Sequence, residues 1–189
     1  MANSKGKDLI KNTGILAIGN IATKAITFLL LPLYTALLNA EQYGIIENLT
    51  TYVTLLVPVI NVQLSQAIFR FATEKRDNHA YVSRVYSTSA FLSFGLLIVY
   101  TCVFFLIQGC LEIPFKWYLL IGTWLNIFMQ MVSYAARGIG DNLAYSVGNF
   151  ILGASVIFFN ILFLAFFKMG IMGMLTSYCL GPILGITFI

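Results

Sequence analysis

An all-α membrane bundle of about six transmembrane helices is the fold class this sequence predicts, and three observations carry that reading. The 189 residues are 59% hydrophobic, with a mean hydropathy of +0.87. Only 10% are charged, well below the roughly 25% typical of soluble domains. The apolar residues also fall into continuous runs at about 14–38, 45–69, 85–107, 115–136, 143–167 and 171–189. Each run is close to the ~20 residues that a helix needs to cross a bilayer. Continuous runs exclude the alternating strands of a membrane β-barrel. One six-helix unit over residues 1–189 is therefore expected, without a soluble domain.

The first span carries Lys24 near its middle. A charge at that depth costs at least ~2.5–3.5 kcal/mol on insertion scales, so it faces a bundle interior or a wet cavity. At ~100° per residue, Thr13, Asn20, Lys24, Thr27 and Thr35 share one side of that helix. The run exceeds the ~7–15 residues of a signal-peptide core and no small-residue cleavage site follows, so the span is read as retained.

The second span aligns Glu47, Thr50, Thr51, Thr54, Pro58, Asn61 and Ser65 within ~40° of one line. Glu47 and Lys24 differ in depth by roughly 13 Å, too far for a direct ion pair between straight helices. The third span is apolar below its first serines and is expected to face lipid. The fourth repeats the polar stripe with Thr123, Asn126, Gln130, Tyr134 and Arg137. Tyr145, Asn149 and Asn160 form a weaker stripe on the fifth, and Gly181 and Gly185 on the sixth have small-xxx-small packing spacing. Prolines at positions 32, 58 and 182 remove backbone donors within or near three spans, where they can bend a helix.

Short connections favour antiparallel neighbours. Residues 39–44, 108–114, 138–142 and 168–170 are read as turns, and residues 71–84 as the longest and most charged loop. With the N-terminus in the cytoplasm, Lys5, Lys7, Lys11, Arg70, Lys75, Arg76, Arg84 and Arg137 lie inside, against Lys116 and Lys168 outside. That asymmetry satisfies the positive-inside rule and accounts for the net charge of +4 without nucleic acid. Arg70, Lys75, Arg76, Arg84 and Arg137 read most simply as topology determinants and lipid-headgroup anchors.

No catalytic constellation is visible. A single histidine, His79, lies in the charged loop, and no phosphate-binding glycine loop occurs. The Gly138–Gly140 pair is a turn between helices. Three cysteines in or beside spans, without metal-ligand spacing, imply neither metal nor structural disulfide. No cofactor is expected. The last span stops at Ile189 without a polar flank, so the chain is expected to be a piece of a longer protein.

Several residues then form a recognisable set: Leu9–Asn12 with Gly14 and Gly19 before the Lys24 helix, Leu31-Pro32-Leu33-Tyr34-Thr35, and Glu41-Gln42-Tyr43-Gly44. Further along come Ala67-Ile68-Phe69-Arg70-Phe71, then Arg137-Gly138 with Tyr145. In order and spacing this resembles the N-terminal part of bacterial polysaccharide-biosynthesis membrane proteins. These are the Wzx-type flippases of lipid-linked oligosaccharides, in the multidrug/oligosaccharidyl-lipid/polysaccharide exporter superfamily. The resemblance implies a protein of twelve to fourteen helices, in two lobes around a central cavity, that alternates between inward-open and outward-open states. It implies export of an undecaprenyl-pyrophosphate-linked glycan across the inner membrane, with cationic side chains in the cavity for the pyrophosphate.

On that reading Lys24 attracts the carrier's pyrophosphate. Asn20, Thr27, Asn61, Asn126 and Gln130 bond to phosphate or sugar oxygens, Arg70 and Arg137 collect the headgroup at the cytoplasmic mouth, and Glu47 is the candidate for ion coupling. The partners implied are the bilayer, the lipid-linked glycan, a missing C-terminal lobe, and polysaccharide polymerases or glycosyltransferases. Two rival readings stand beside it: a cation-coupled multidrug antiporter of the same superfamily, which would want a carboxylate where Lys24 stands, and a non-transporting truncated membrane protein.

Overall fold

The computed structural model describes Phe28, Leu31, Pro32, residues 34–110 and residues 112–189. Asn20, Lys24 and Thr27 lie outside the described residues, as does most of the first span. Every regular element among the described residues is helical. A bilayer interior offers no hydrogen-bonding solvent, so each helix must satisfy its backbone within itself. From Ala40 onward the described helices are, in order, α1 (Ala40–Asn61), α2 (Leu64–Glu74), α3 (His79–Ile107), α4 (Trp117–Ile139), α5 (Asn142–Ile161) and α6 (Gly170–Phe188). A π-helical turn, Leu162–Phe166, extends α5. Five of these elements are long and apolar enough to cross a membrane, the exception being the eleven-residue α2.

α1 begins at Ala40, five residues before the expected start of its span. Asn39 and Gln42 form a reciprocal capping box, in which the Asn39 side chain accepts from the Gln42 amide at 2.8 Å and the Gln42 side chain accepts from the Asn39 amide at 3.1 Å. Two of the orphan donors of the first turn are satisfied in this way. The segment read as a turn, residues 39–44, is thus mostly helix.

The larger correction concerns span two, expected as one helix over residues 45–69. It breaks after Asn61, where Val62 (φ 45°) and Gln63 (φ 57°) both adopt the left-handed conformation. Each such residue without glycine's freedom costs about 1–2 kcal/mol, more for a β-branched side chain. Neither residue is a glycine or proline, and the nearest sequence signal, Pro58, lies inside α1, which continues past it to Asn61. Packing overrides propensity here. Asn61, only 2% exposed, donates from Nδ2 to Ser65 Oγ at 2.8 Å, and Ser93 Oγ of α3 donates to Asn61 Oδ1 at 2.7 Å. α2 then lies against α4 so closely that a Cβ on Gly138 would stand 2.8 Å from the Ala72 Cβ.

The long loop expected at residues 71–84 is also mostly helix. α2 runs to Glu74 and α3 starts at His79, with Asn78 capping it by accepting from the Tyr81 amide at 3.0 Å. Its charges misled the reading, because helices extending past an apolar core remain helical among headgroups and water. The 138–142 turn falls where expected: Gly140 (φ 92°) closes α4 and Asp141 caps α5 by accepting from the Ala144 amide.

α4 lies at the centre. Its most apolar stretch is 44% buried, against 17% for α3, whose Phe91 and Leu106 are each more than 80% exposed. α6 reaches α5 through Gly181, where a Cβ would fall 2.3 Å from a Val156 methyl carbon, and reaches Met129 of α4 through Gly185. The small-residue pair thus sets close approach on two sides of α6.

Candidate functional site

Two clefts open on one face of α4. The first, of about 440 Å³, lies between α1, α4, α5 and α6. Glu47, Thr50 and Thr54 come from α1, Tyr118, Asn126 and Gln130 from α4, and Tyr178 and Pro182 from α6, with an apolar side made by Leu152 and Val156. Helical spacing puts these polar groups together: 47, 50 and 54 fall at i, i+3 and i+7, and 126 and 130 at i and i+4. The Thr50 hydroxyl donates to the Glu47 carbonyl at 3.0 Å and the Thr54 hydroxyl to the Thr50 carbonyl at 2.8 Å. Asn126 Nδ2 likewise donates to the Gly122 carbonyl at 2.8 Å.

Those bonds leave Thr50 and Thr54 with lone pairs for the cleft, whereas Asn126 keeps its oxygen and a second N–H, and Gln130 can both donate and accept. Among the described lining residues Glu47 alone is charged. This cleft therefore presents acceptors from Glu47, Thr50 and Thr54 beside groups that both donate and accept on Asn126, Gln130, Tyr118 and Tyr178, with no cationic side chain among its described lining residues. It suits a ligand rich in hydroxyl donors or a cation better than it suits bare phosphate oxygens.

The second cleft, of about 660 Å³, opens between α2 and the far end of α4. Gln63, Gln66, Phe69 and Arg70 line one side, Tyr134 and Arg137 the other. The Arg137 guanidinium carbon stands 4.6 Å from the Phe69 ring centre and 5.4 Å from that of Tyr145. The two rings attract its charge, each contact being worth ~0.5–2 kcal/mol depending on desolvation. Arg70 is exposed across the same opening. Two guanidiniums make this cleft cationic and rich in donors, which is the chemistry of a phosphate or carboxylate site.

The structure thus brings Glu47, Asn126 and Gln130 together in one cleft and Arg70 and Arg137 together in another. Asn61 enters neither. Its expected contact with phosphate or sugar oxygens gives way to a buried tie among α1, α2 and α3, because both ends of its amide are already engaged. The single stripe expected on the second span divides: Glu47, Thr50 and Thr54 face a cleft, whereas Asn61 and Ser65 are buried.

The basic residues grouped as headgroup anchors also divide. Arg76 Nε donates to the Gly138 carbonyl at 3.0 Å, closing the end of α4, and the Lys75 ammonium sits 4.9 Å from the Tyr81 ring centre. Tyr118 and Tyr178 are cleft residues that the sequence reading missed. Tyr118 precedes Asn126 by eight residues on the same helical face, and a stripe search extended to aromatic residues would have included it. Asn160 is fully buried and donates to the Tyr34 hydroxyl at 2.8 Å, tying α5 to the segment before α1.

Five membrane-length helices, with polar clefts opening between them, define a multi-pass membrane protein. The model of one protein family, described as polysaccharide biosynthesis protein, matches residues 9–189. The chain belongs to that family, and membership points to a flippase-type role in polysaccharide biosynthesis. Neither a curated protein nor a solved structure matches the chain.

Proposed function

We propose that this chain forms one lobe of a flippase that carries an undecaprenyl-pyrophosphate-linked oligosaccharide across the bacterial inner membrane, with its N-terminus in the cytoplasm. The observation that carries the reading is the face of α4. Asn126 and Gln130 line the Glu47 cleft, which has no cationic side chain among its described lining residues, and Tyr134 and Arg137 line the cationic one, with roughly 16 Å of helix between positions 126 and 137. A ligand with an anionic headgroup and a hydroxylated glycan needs two such environments in series.

Arg70 and Arg137 collect the pyrophosphate at the cytoplasmic mouth, Lys24 draws it inward, and Asn20 and Thr27 bond to phosphate or sugar oxygens. Glycan hydroxyls donate to Glu47, Thr50, Thr54 and Asn126, with Gln130 bridging the two environments. Rocking against a second lobe supplies alternating access.

A second reading is supported by one observation, that Glu47 alone is charged among the described residues lining its cleft. If Glu47 exchanges protons or cations, the chain is a cation-coupled exporter in which Lys24 has no ligand role. Complementation of a flippase-null strain with the full-length gene separates the two. The flippase reading expects Lys24→Arg to retain glycan export and Lys24→Ala to lose most of it. Full export by Lys24→Ala, with loss in Glu47→Gln, favours the second.

A further inference from the structure

Val62 and Gln63 hold a left-handed conformation that neither side chain favours, and both line the arginine cleft. Val62 is 65% exposed, so no packing around its own side chain compensates the strain. What holds the joint acts at its two ends. Above it, Asn61 is tied to α3 through Ser93. Below it, α2 is drawn onto α4 by three contacts: Ala72 against Gly138, Phe69 against the Arg137 guanidinium, and Arg76 on the Gly138 carbonyl.

We propose that the joint between α1 and α2 is a two-state hinge that opens and closes the arginine cleft. In the second state Val62 and Gln63 return to right-handed helix and α1 and α2 become one continuous helix. The Asn61–Ser65 hydrogen bond has i, i+4 spacing and is compatible with both states. The Ala72–Gly138 and Phe69–Arg137 contacts belong to the bent state alone, so straightening carries Phe69 and Arg70 away from Arg137. Backbone strain beside a candidate site, balanced by a few removable contacts, is the physical condition for such bistability.

The test is a distance measurement between spin labels on the membrane-embedded full chain. The labels replace the exposed Thr51 and Thr73, in a background with Cys102, Cys110 and Cys179 changed to Ser. A continuous helix separates those positions by roughly 33 Å of axial rise, and the bent state brings them closer. Val62→Gly and Gln63→Gly remove the left-handed penalty and weaken the continuous helix, so each is expected to shift the ratio toward the shorter distance by roughly tenfold. Gly138→Ala, which crowds Ala72, is expected to shift it toward the longer distance. A distance distribution that none of the three variants moves overturns the hinge. The measurement uses no ligand, so it stands or fails separately from the assignment of Arg70 and Arg137 to an anionic headgroup.

Discussion

Arg137 shows how a residue's chemistry depends on what surrounds it. Flanked by the Phe69 and Tyr145 rings, its guanidinium is oriented before any ligand arrives. Phe69→Leu keeps the apolar volume but removes one face, and is expected to lower export several-fold while leaving protein level near wild type. Arg137→Lys keeps the charge but loses both the planar fork and the stacking. A drop of about tenfold in initial export rate is expected, checked by quantifying surface glycan in a complemented null strain. Asn61 makes the opposite case. Asn61→Ala leaves the Ser93 hydroxyl without its acceptor, so a stability loss of about 1–2 kcal/mol is expected in detergent unfolding. Sequence reasoning grouped Asn61 with Glu47 because a helical projection assigns angles and not burial.

At the scale of elements, five of the six expected spans have counterparts among the described helices, because long apolar runs are unambiguous. What a hydropathy reading could not locate was the end of α1. The αL joint has no glycine or proline, and its cause lies in contacts that Ala72 and Arg76 make with α4, more than sixty residues further on in the chain. The polar stripe of α4 was legible because that helix is unbroken from Trp117 to Ile139. The stripe of α1 was legible only as far as the break. Close approach of α2 and α4 gives a coupled prediction. Gly138→Leu is expected to destabilise by about 1–3 kcal/mol through overpacking. Ala72→Gly in the same chain is expected to recover part of that loss, and thermal unfolding of the single and double variants measures the coupling.

For the whole molecule, the distribution of exposure matches a bundle with α4 inside and α3 outside. The basic residues at positions 70, 75, 76, 84 and 137 lie on α2, α3, the end of α4 and the short link between α2 and α3. A topology reporter fused after Asp77 is therefore expected to read cytoplasmic, and a periplasmic signal would invert the proposed orientation. The two clefts were only partly legible in the sequence: their polar residues were visible as stripes, but their separation into an arginine-lined and a Glu47-lined chamber required the packing of α2 and α6 onto α4. Glycan export measures the central claim most directly. Changing Arg70 and Arg137 together to Gln, in the full-length gene with membrane insertion verified, is predicted to reduce export in a flippase-null strain by at least about tenfold. Export at the wild-type rate from that double variant would contradict the assignment of this cleft to an anionic lipid headgroup.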